Sequence, residues 1–125
     1  ERRALASDLM DKTAVHVSDG PLDERSLKAA VAEASVLVHC TPIGMSPKAG
    51  KSCVPSHLLH RDLTVMDIVY NPRDTKLLTD AKAAGCRTIA GLEMFLHQAA
   101  AQFECWTGQS APTQVMRAVL EARFT

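Results

Sequence analysis

Leu63-Thr64-Val65-Met66-Asp67-Ile68-Val69-Tyr70, closed at once by Asn71-Pro72, is the stretch on which the fold of this chain turns. A short, mostly apolar run rich in β-branched residues and ended by a turn dipeptide reads as a strand buried on both faces. Directly after it, Asp74 or Thr75 can cap a helix over residues 75–84 that puts Leu77, Leu78 and Ala81 on its inner side, and Gly85 supplies the stop. Residues 86–90 then return as another strand. Strand, helix and strand in this order make a parallel crossover unit, which is right-handed.

The same alternation extends in both directions. Upstream, Val36-Leu37-Val38 is a second short apolar run suited to a strand covered on both faces. The helix before it spaces Leu27, Ala30, Val31 and Ala34 at helical intervals behind a capping Asp23. Earlier still, Ala14, Val15, His16 and Val17 read as a strand ended by Ser18-Asp19-Gly20-Pro21, after a short helical segment over residues 4–10. The loop after Thr41 holds Pro42, Gly44, Pro47, Gly50 and Pro55 and is too irregular for a long element. Downstream, residues 92–106 are the longest helical pattern, with Leu92, Phe95, Leu96, Ala99, Phe103 and Trp106 on one side and Gly108 as its end. Pro112 suits the first turn of a last helix striped by Val115, Met116, Val119 and Leu120. Short apolar strands alternating with amphipathic helices predict an α/β open parallel sheet with flanking helices.

Composition narrows the function classes. The 125 residues carry 14 basic and 14 acidic side chains, so there is no charge excess to attract nucleic acid or an anionic membrane. Hydrophobic residues make up 46%, enough for a core, yet no uninterrupted apolar run reaches the ~18 residues of a membrane span, and a water-soluble protein is expected. Cys40, Cys53, Cys86 and Cys105 include no CxxC pair and read as reduced thiols of a cytoplasmic protein. The opening Glu1-Arg2-Arg3, without an initiating Met or an apolar leader, reads as cut from something longer.

Ligands of such sheets sit outside the carboxyl ends of the strands, here at His39-Cys40-Thr41, Tyr70-Asn71 and Ala90-Gly91. Tyr70 is the single Tyr and offers a hydroxyl to a polar ligand; alternatively its ring packs and its hydroxyl stays wet. Gly91, Met94, Gln98 and Gln102 share a helix face that either meets a ligand or is ordinary solvated surface. Cys53, His57 and His60 have ligand-like spacing but lack a fourth partner, so no metal is expected. His39-Cys40 is not a base–nucleophile pair, because adjacent strand residues point to opposite faces, and Cys40 reads as buried packing. Arg2, Glu24, Arg25, Lys82 and Arg117 read as solvated helix charges. There is no glycine-rich phosphate loop and no convincing acid–base pair.

Taken together, Thr41-Pro42-Ile43-Gly44-Met45, then Asp67-Ile68-Val69-Tyr70-Asn71-Pro72 with Thr75, Leu77 and Leu78, then Gly91-Leu92-Glu93-Met94-Phe95 through Gln98, Phe103, Trp106 and Gly108 closely resemble the C-terminal, NADP-binding region of the shikimate dehydrogenases over residues 1–120. The resemblance implies a partial Rossmann-like parallel sheet with flanking helices, lacking the first two strands of the nucleotide-binding domain. Residues 1–125 would be the C-terminal portion of that domain with its C-terminal helices, and the N-terminal substrate domain would lie outside this chain. It also implies NADPH-dependent, reversible reduction of 3-dehydroshikimate to shikimate in the chorismate route to aromatic amino acids.

By position, the resemblance gives Tyr70 and Gln98 to the substrate, Ile68, Gly91 and Met94 to the nicotinamide side of the cofactor, and Thr41 and Pro42 to the rest of the dinucleotide. Arg2 or Arg3 corresponds to a basic residue for the 2′-phosphate. The family usually has Asn in place of His39 and a small or hydroxyl residue in place of Cys40. Its glycine-rich loop and catalytic Lys and Asp would precede Glu1, so no catalytic residue is assigned within the chain, which alone should be inactive. In the strand order 3-2-1-4-5-6, residues 14–17 would be the third strand and those near Val36, Val65 and Thr88 the fourth, fifth and sixth. The open flank of the fourth should be filled by another segment or chain, or the N-terminal strand should rearrange against a substitute partner. Two other classes compete: a non-catalytic binding or regulatory relative that keeps the crevice, and an interaction domain that turns Tyr70 and Gln98 toward a partner.

Overall fold

Strands β1 (Val36–His39), β2 (Thr64–Asp67) and β3 (Arg87–Ile89) form a parallel sheet in the order β1-β2-β3 in the computed structural model, which describes residues 2–124. Glu1 and Thr125 lie outside that range. The register pairs Leu37 with Val65 and Thr88, and His39 with Asp67. Around the sheet run α1 (Arg2–Lys12), α2 (Glu24–Glu33), α3 (Lys76–Ala83), α4 (Gly91–Thr107) and α5 (Thr113–Arg123), with a single 3-10 turn at Ser56–Leu58.

Local chemistry sets most of the boundaries. Asp23 accepts the Ser26 N–H and starts α2; Thr75, rather than Asp74, accepts the Leu78 N–H and starts α3. At the end of α3, Gly85 takes φ +80, which lets its N–H reach the Lys82 carbonyl and the Cys86 N–H reach that of Ala81. This pair of bonds satisfies carbonyls that the helix would otherwise leave open. Gly108 ends α4 in the same left-handed conformation.

The core lies on one face of the sheet. Leu63 and Val65 are fully buried against Leu77, Leu78 and Ala81 of α3, with Val31 of α2 and Val54 and Leu59 of the connecting loop completing the cluster. Along the central strand, Leu63, Val65, Asp67 and Val69 are buried while Thr64, Met66 and Ile68 are only half-buried, the two-residue period of a strand covered on one side. The expectation of strands buried on both faces is therefore corrected. Val36 and Val38 are 58% and 52% exposed, because they share a face with Met66 and Ile89 on which none of the helices packs closely.

Residues 14–17 form no strand, contrary to expectation: they run irregularly after α1, and Val15 is exposed. A strand exists only through its backbone partners, and none is within reach of this segment among the described residues. Instead Arg2 Nε meets Asp19 at 2.6 Å. Neither a substitute partner for this segment nor a strand beside the outer edge of β1 is present among the described residues. Two apolar stripes are also narrower than expected. In α4, Leu92, Leu96 and Ala100 are buried but Trp106 is 78% exposed; in α5, Val115 and Val119 are exposed. Pro112 stands at the N-cap position just before α5, without a side-chain capping bond, and not in the first turn as expected.

Candidate active-site region

Two strand ends and the helix that follows the third converge on one side of the sheet. The loop after β1, the end of β2 and the start of α4 enclose an open concavity of about 480 Å³, whose lining includes Thr41 and Pro42, Ile68 and Tyr70, and Met94. Met45, Ser46, Val69 and Asn71 complete its wall together with Cys40. Cys40 is exposed there, which corrects its reading as buried packing: on the alternating strand it is His39 that turns inward.

Two glycines and one cross-loop bond hold this geometry. Gly44 adopts φ +84, and a Cβ there would sit 2.8 Å from the Lys51 carbonyl oxygen. Gly91 has ordinary torsions, but a Cβ would meet the Ile68 and Val69 carbonyl oxygens at 2.5 Å, so only glycine lets α4 begin against the end of β2. The Ser46 N–H donates to the Asn71 carbonyl at 2.9 Å and joins the first loop to the second.

Tyr70 is held by its ring. Phe95 of α4 stacks on it with centroids 4.8 Å apart, and Phe124 meets its edge at 5.4 Å. Its half-buried side chain reaches the concavity with the hydroxyl unpaired among the described residues. Gly91 is buried behind the wall, supporting Ile68, and does not itself line the space. Gln98 is exposed one turn beyond Met94 on α4, outside the lining. The residues singled out from sequence thus divide into Thr41, Pro42, Ile68, Tyr70 and Met94 at the concavity, Gly91 behind it and Gln98 beyond its edge.

Beneath the concavity lies a buried polar network that residue-by-residue reading did not find. Asp67, wholly buried, accepts from Thr75 Oγ1 at 2.6 Å and from the Val69 N–H at 3.0 Å. His39 Nδ1 lies 2.9 Å from Asp67 Oδ1, and its Nε2 contacts Thr41 Oγ1. A carboxylate in the middle of an apolar strand was the available signal, since it must find donors once buried.

Other charged groups have structural partners. Arg117 of α5 clasps Glu93 of α4 through both guanidinium ends, and this hydrogen bonding holds the Glu93 carboxyl below its ordinary value. Glu24 faces His57 at 3.1 Å and Lys82 meets Asp74 at 2.6 Å, and all four side chains stay exposed, as expected of solvated helix faces. His60 Nε2 contacts the Val31 carbonyl oxygen, while burial pushes the Cys53 thiol up. Among the described residues no group of His, Cys, Asp or Glu is arranged to hold a metal ion. A larger recess, about 650 Å³, is lined by Pro72, Arg73, Lys82 and Arg123; it touches the concavity only at Asn71 and receives neither of the other two strand ends.

The chain is similar to known proteins in sequence and in fold. The family model for the shikimate 5′-dehydrogenase C-terminal domain matches residues 91–121. Over 95 residues the chain is 50% identical to the shikimate dehydrogenase (NADP(+)) of Dehalococcoides mccartyi strain CBDB1, covering 76% of this chain and 33% of that protein. Over 114 residues it is 46% identical to the enzyme of that name from Halobacterium salinarum, strain R1, covering 91% of this chain and 42% of that one. The crystal structure of a shikimate 5-dehydrogenase from Listeria monocytogenes in complex with shikimate and NAD matches with a TM-score of 0.87 at 32% identity, over 94% of this chain and 42% of that chain. This chain therefore spans only about a third to two fifths of the length of these relatives. With the motif spacing, the parallel strand order and these similarities in agreement, the chain belongs to the shikimate dehydrogenase family and corresponds to its C-terminal, Rossmann-like region.

Proposed function

We propose that the concavity is the nicotinamide end of an NADP(H) site, and that the intact protein catalyses the reversible NADPH-dependent reduction of 3-dehydroshikimate to shikimate, a step toward chorismate and the aromatic amino acids. The observation that carries this reading is the meeting of Thr41 and Pro42, Ile68 and Tyr70, from two strand ends, with Met94 of the helix after the third, at one small concavity. The similarity to a solved enzyme holding shikimate and NAD supports it.

The residues suit that cofactor portion. Pro42, Met45, Ile68 and Met94 offer apolar surface to a flat ring, Thr41, Ser46 and Tyr70 supply hydroxyls, and no Lys or Arg among the described residues lines the space. An uncharged ring with a carboxamide fits such a lining better than a phosphate does. When bound, NADPH supplies the hydride. Ile68 and Met94 hold the ring; Gly91 allows the close approach of α4 that brings Met94 there; Thr41 and Pro42 meet the rest of the dinucleotide. Tyr70 and Gln98 hydrogen-bond the substrate, orienting its carbonyl for transfer.

No acid or base in residues 1–125 is given the proton-transfer role. That role belongs to a Lys and an Asp in the remainder of the enzyme, so these residues are the C-terminal portion of the dinucleotide domain and by themselves are inactive. The free thiols fit a cytoplasmic enzyme, and no helix among the described residues is long and apolar enough to cross a membrane.

The test is NADPH oxidation by the intact protein, with 3-dehydroshikimate and separately with 3-dehydroquinate. Turnover of 3-dehydroshikimate is expected. Binding of NADPH without turnover of either compound would favour the non-catalytic relative, and failure to bind NADPH would end the cofactor reading.

A further inference from the structure

We propose that His39 is a positioning residue: together with Asp67 it commits the Thr41 hydroxyl as an acceptor-only group at the concavity, so that this point of the rim receives a ligand N–H or O–H and disfavours a phosphate or carboxylate oxygen. The proposal deepens the cofactor reading above and rests on it for the identity of the ligand, though not for the state of the three side chains.

The Leu78 N–H points at Thr75 Oγ1 at 3.3 Å, so the Thr75 hydroxyl hydrogen is free to go to Asp67 Oδ2, 2.6 Å away. Asp67 Oδ1 accepts the Val69 N–H at 3.0 Å. Both carboxylate oxygens are therefore acceptors already, and what they require of His39 Nδ1, at 2.9 Å, is one more hydrogen. With its hydrogen on Nδ1, a neutral imidazole has a lone pair on Nε2. That nitrogen faces Thr41 Oγ1, and in this neutral state the Thr41 hydroxyl donates to it.

Thr41 Oγ1 also accepts the Ile43 N–H at 3.3 Å. Its hydrogen is thus held inside the protein, and one lone pair is left over on a residue that lines the concavity. An amide hydrogen or a sugar hydroxyl can donate to that lone pair, whereas an anionic oxygen would meet it with like charge density. No Lys or Arg among the described residues lines the concavity itself; Lys48 and Lys51 stand in the adjoining recess beyond Pro42, Met45 and Ser46. His39 is 4% exposed and Asp67 fully buried, so water does not compete for the contact between them.

The experiment has two arms on the intact protein. In the first, 15N NMR of the His39 ring reads its tautomer without any ligand. A neutral ring with hydrogen on Nδ1 supports the proposal; hydrogen on Nε2, or on both nitrogens, overturns it, whatever the protein binds. In the second, NADPH affinity is measured for Thr41→Val, Thr41→Ser, His39→Phe and the Thr41→Val/His39→Phe double variant. Losses of roughly threefold to tenfold are expected for each of Thr41→Val and His39→Phe, with no further loss in the double variant and near-normal affinity for Thr41→Ser. Additive losses, or unchanged affinity in Thr41→Val, overturn it. Should His39→Phe fail to fold, the Thr41 pair and the tautomer still decide. A wild-type protein that binds no NADPH ends the cofactor reading, while the first arm still judges His39.

Discussion

Tyr70 lies flat against Phe95, with ring centroids 4.8 Å apart and planes 5° from parallel. A residue at the end of β2 is thereby held by the first turns of α4, and Phe124 closes its edge. With the ring fixed from two sides, its hydroxyl is presented in a defined direction at the cost of little side-chain entropy in the complex.

Removing only that hydroxyl should separate packing from recognition. Tyr70→Phe keeps both ring contacts, so its unfolding midpoint should stay close to that of the wild type, while kcat/KM for 3-dehydroshikimate in the intact enzyme falls roughly threefold to tenfold, the equivalent of one neutral hydrogen bond. Gln98→Ala should give a loss of similar size, with NADPH affinity nearly intact. If cofactor affinity is the main defect in either variant, that residue serves the other ligand.

Gly91→Ala tests the close approach of α4 to β2. The added Cβ would stand 2.5 Å from two backbone carbonyl oxygens, which cannot rotate away as a flexible side chain would. A destabilisation of about 1–3 kcal/mol is expected in urea unfolding, with weaker NADPH binding as Met94 is displaced. Wild-type stability in this variant would show that α4 has slack at its start.

Asp67→Ala should be more damaging than its single position suggests. It leaves the Thr75 hydroxyl, the Val69 N–H and the His39 ring without their acceptor in a buried site. A loss of about 3 kcal/mol or more in unfolding free energy is expected. A loss below about 1 kcal/mol would mean that water enters and replaces the carboxylate.

The Glu93–Arg117 clasp predicts an acid-side weakening. Hydrogen bonding from Arg117 lowers the Glu93 carboxyl in the folded state relative to the unfolded chain, so its stabilising contribution is present above the ordinary glutamate value and fades as the pH falls below about 4. Arg117→Met should remove that part of the acid dependence and loosen α5 from α4, and hydrogen exchange in α5 should rise. An unchanged acid profile in the variant would remove the clasp from the list of causes.

Thiol reactivity should sort the four cysteines. Cys40 and Cys105 are exposed, whereas burial raises the Cys53 and Cys86 thiols and Cys86 also donates to the His60 carbonyl. Alkylation of the folded protein should be fast at the first two and slow at the others. Because Cys40 lines the concavity, NADPH should protect it and leave Cys105 unaffected. Equal rates at Cys40 with and without NADPH would place the cofactor elsewhere.

Local features were legible in the sequence wherever their physics is local. Asp23, Thr75, Gly85 and Gly108 mark helix ends because capping depends on residues within one turn. The motifs around Thr41, Tyr70 and Gly91 carried the family because their spacing encodes three successive strand ends. Much else depended on what the folded chain brings from a distance. Residues 14–17 have strand-like composition yet no strand, since pairing needs a second backbone that no local pattern supplies. Val36 and Val38 look like core but are exposed, because burial is decided by which helices cover a face. Gln98 shares Met94's side of α4 by spacing, but the wall of the concavity ends before it. His39 and Asp67 stand 28 residues apart in the chain and side by side in register, and only the pairing of β1 with β2 turns two separate polar side chains into one buried network behind Thr41.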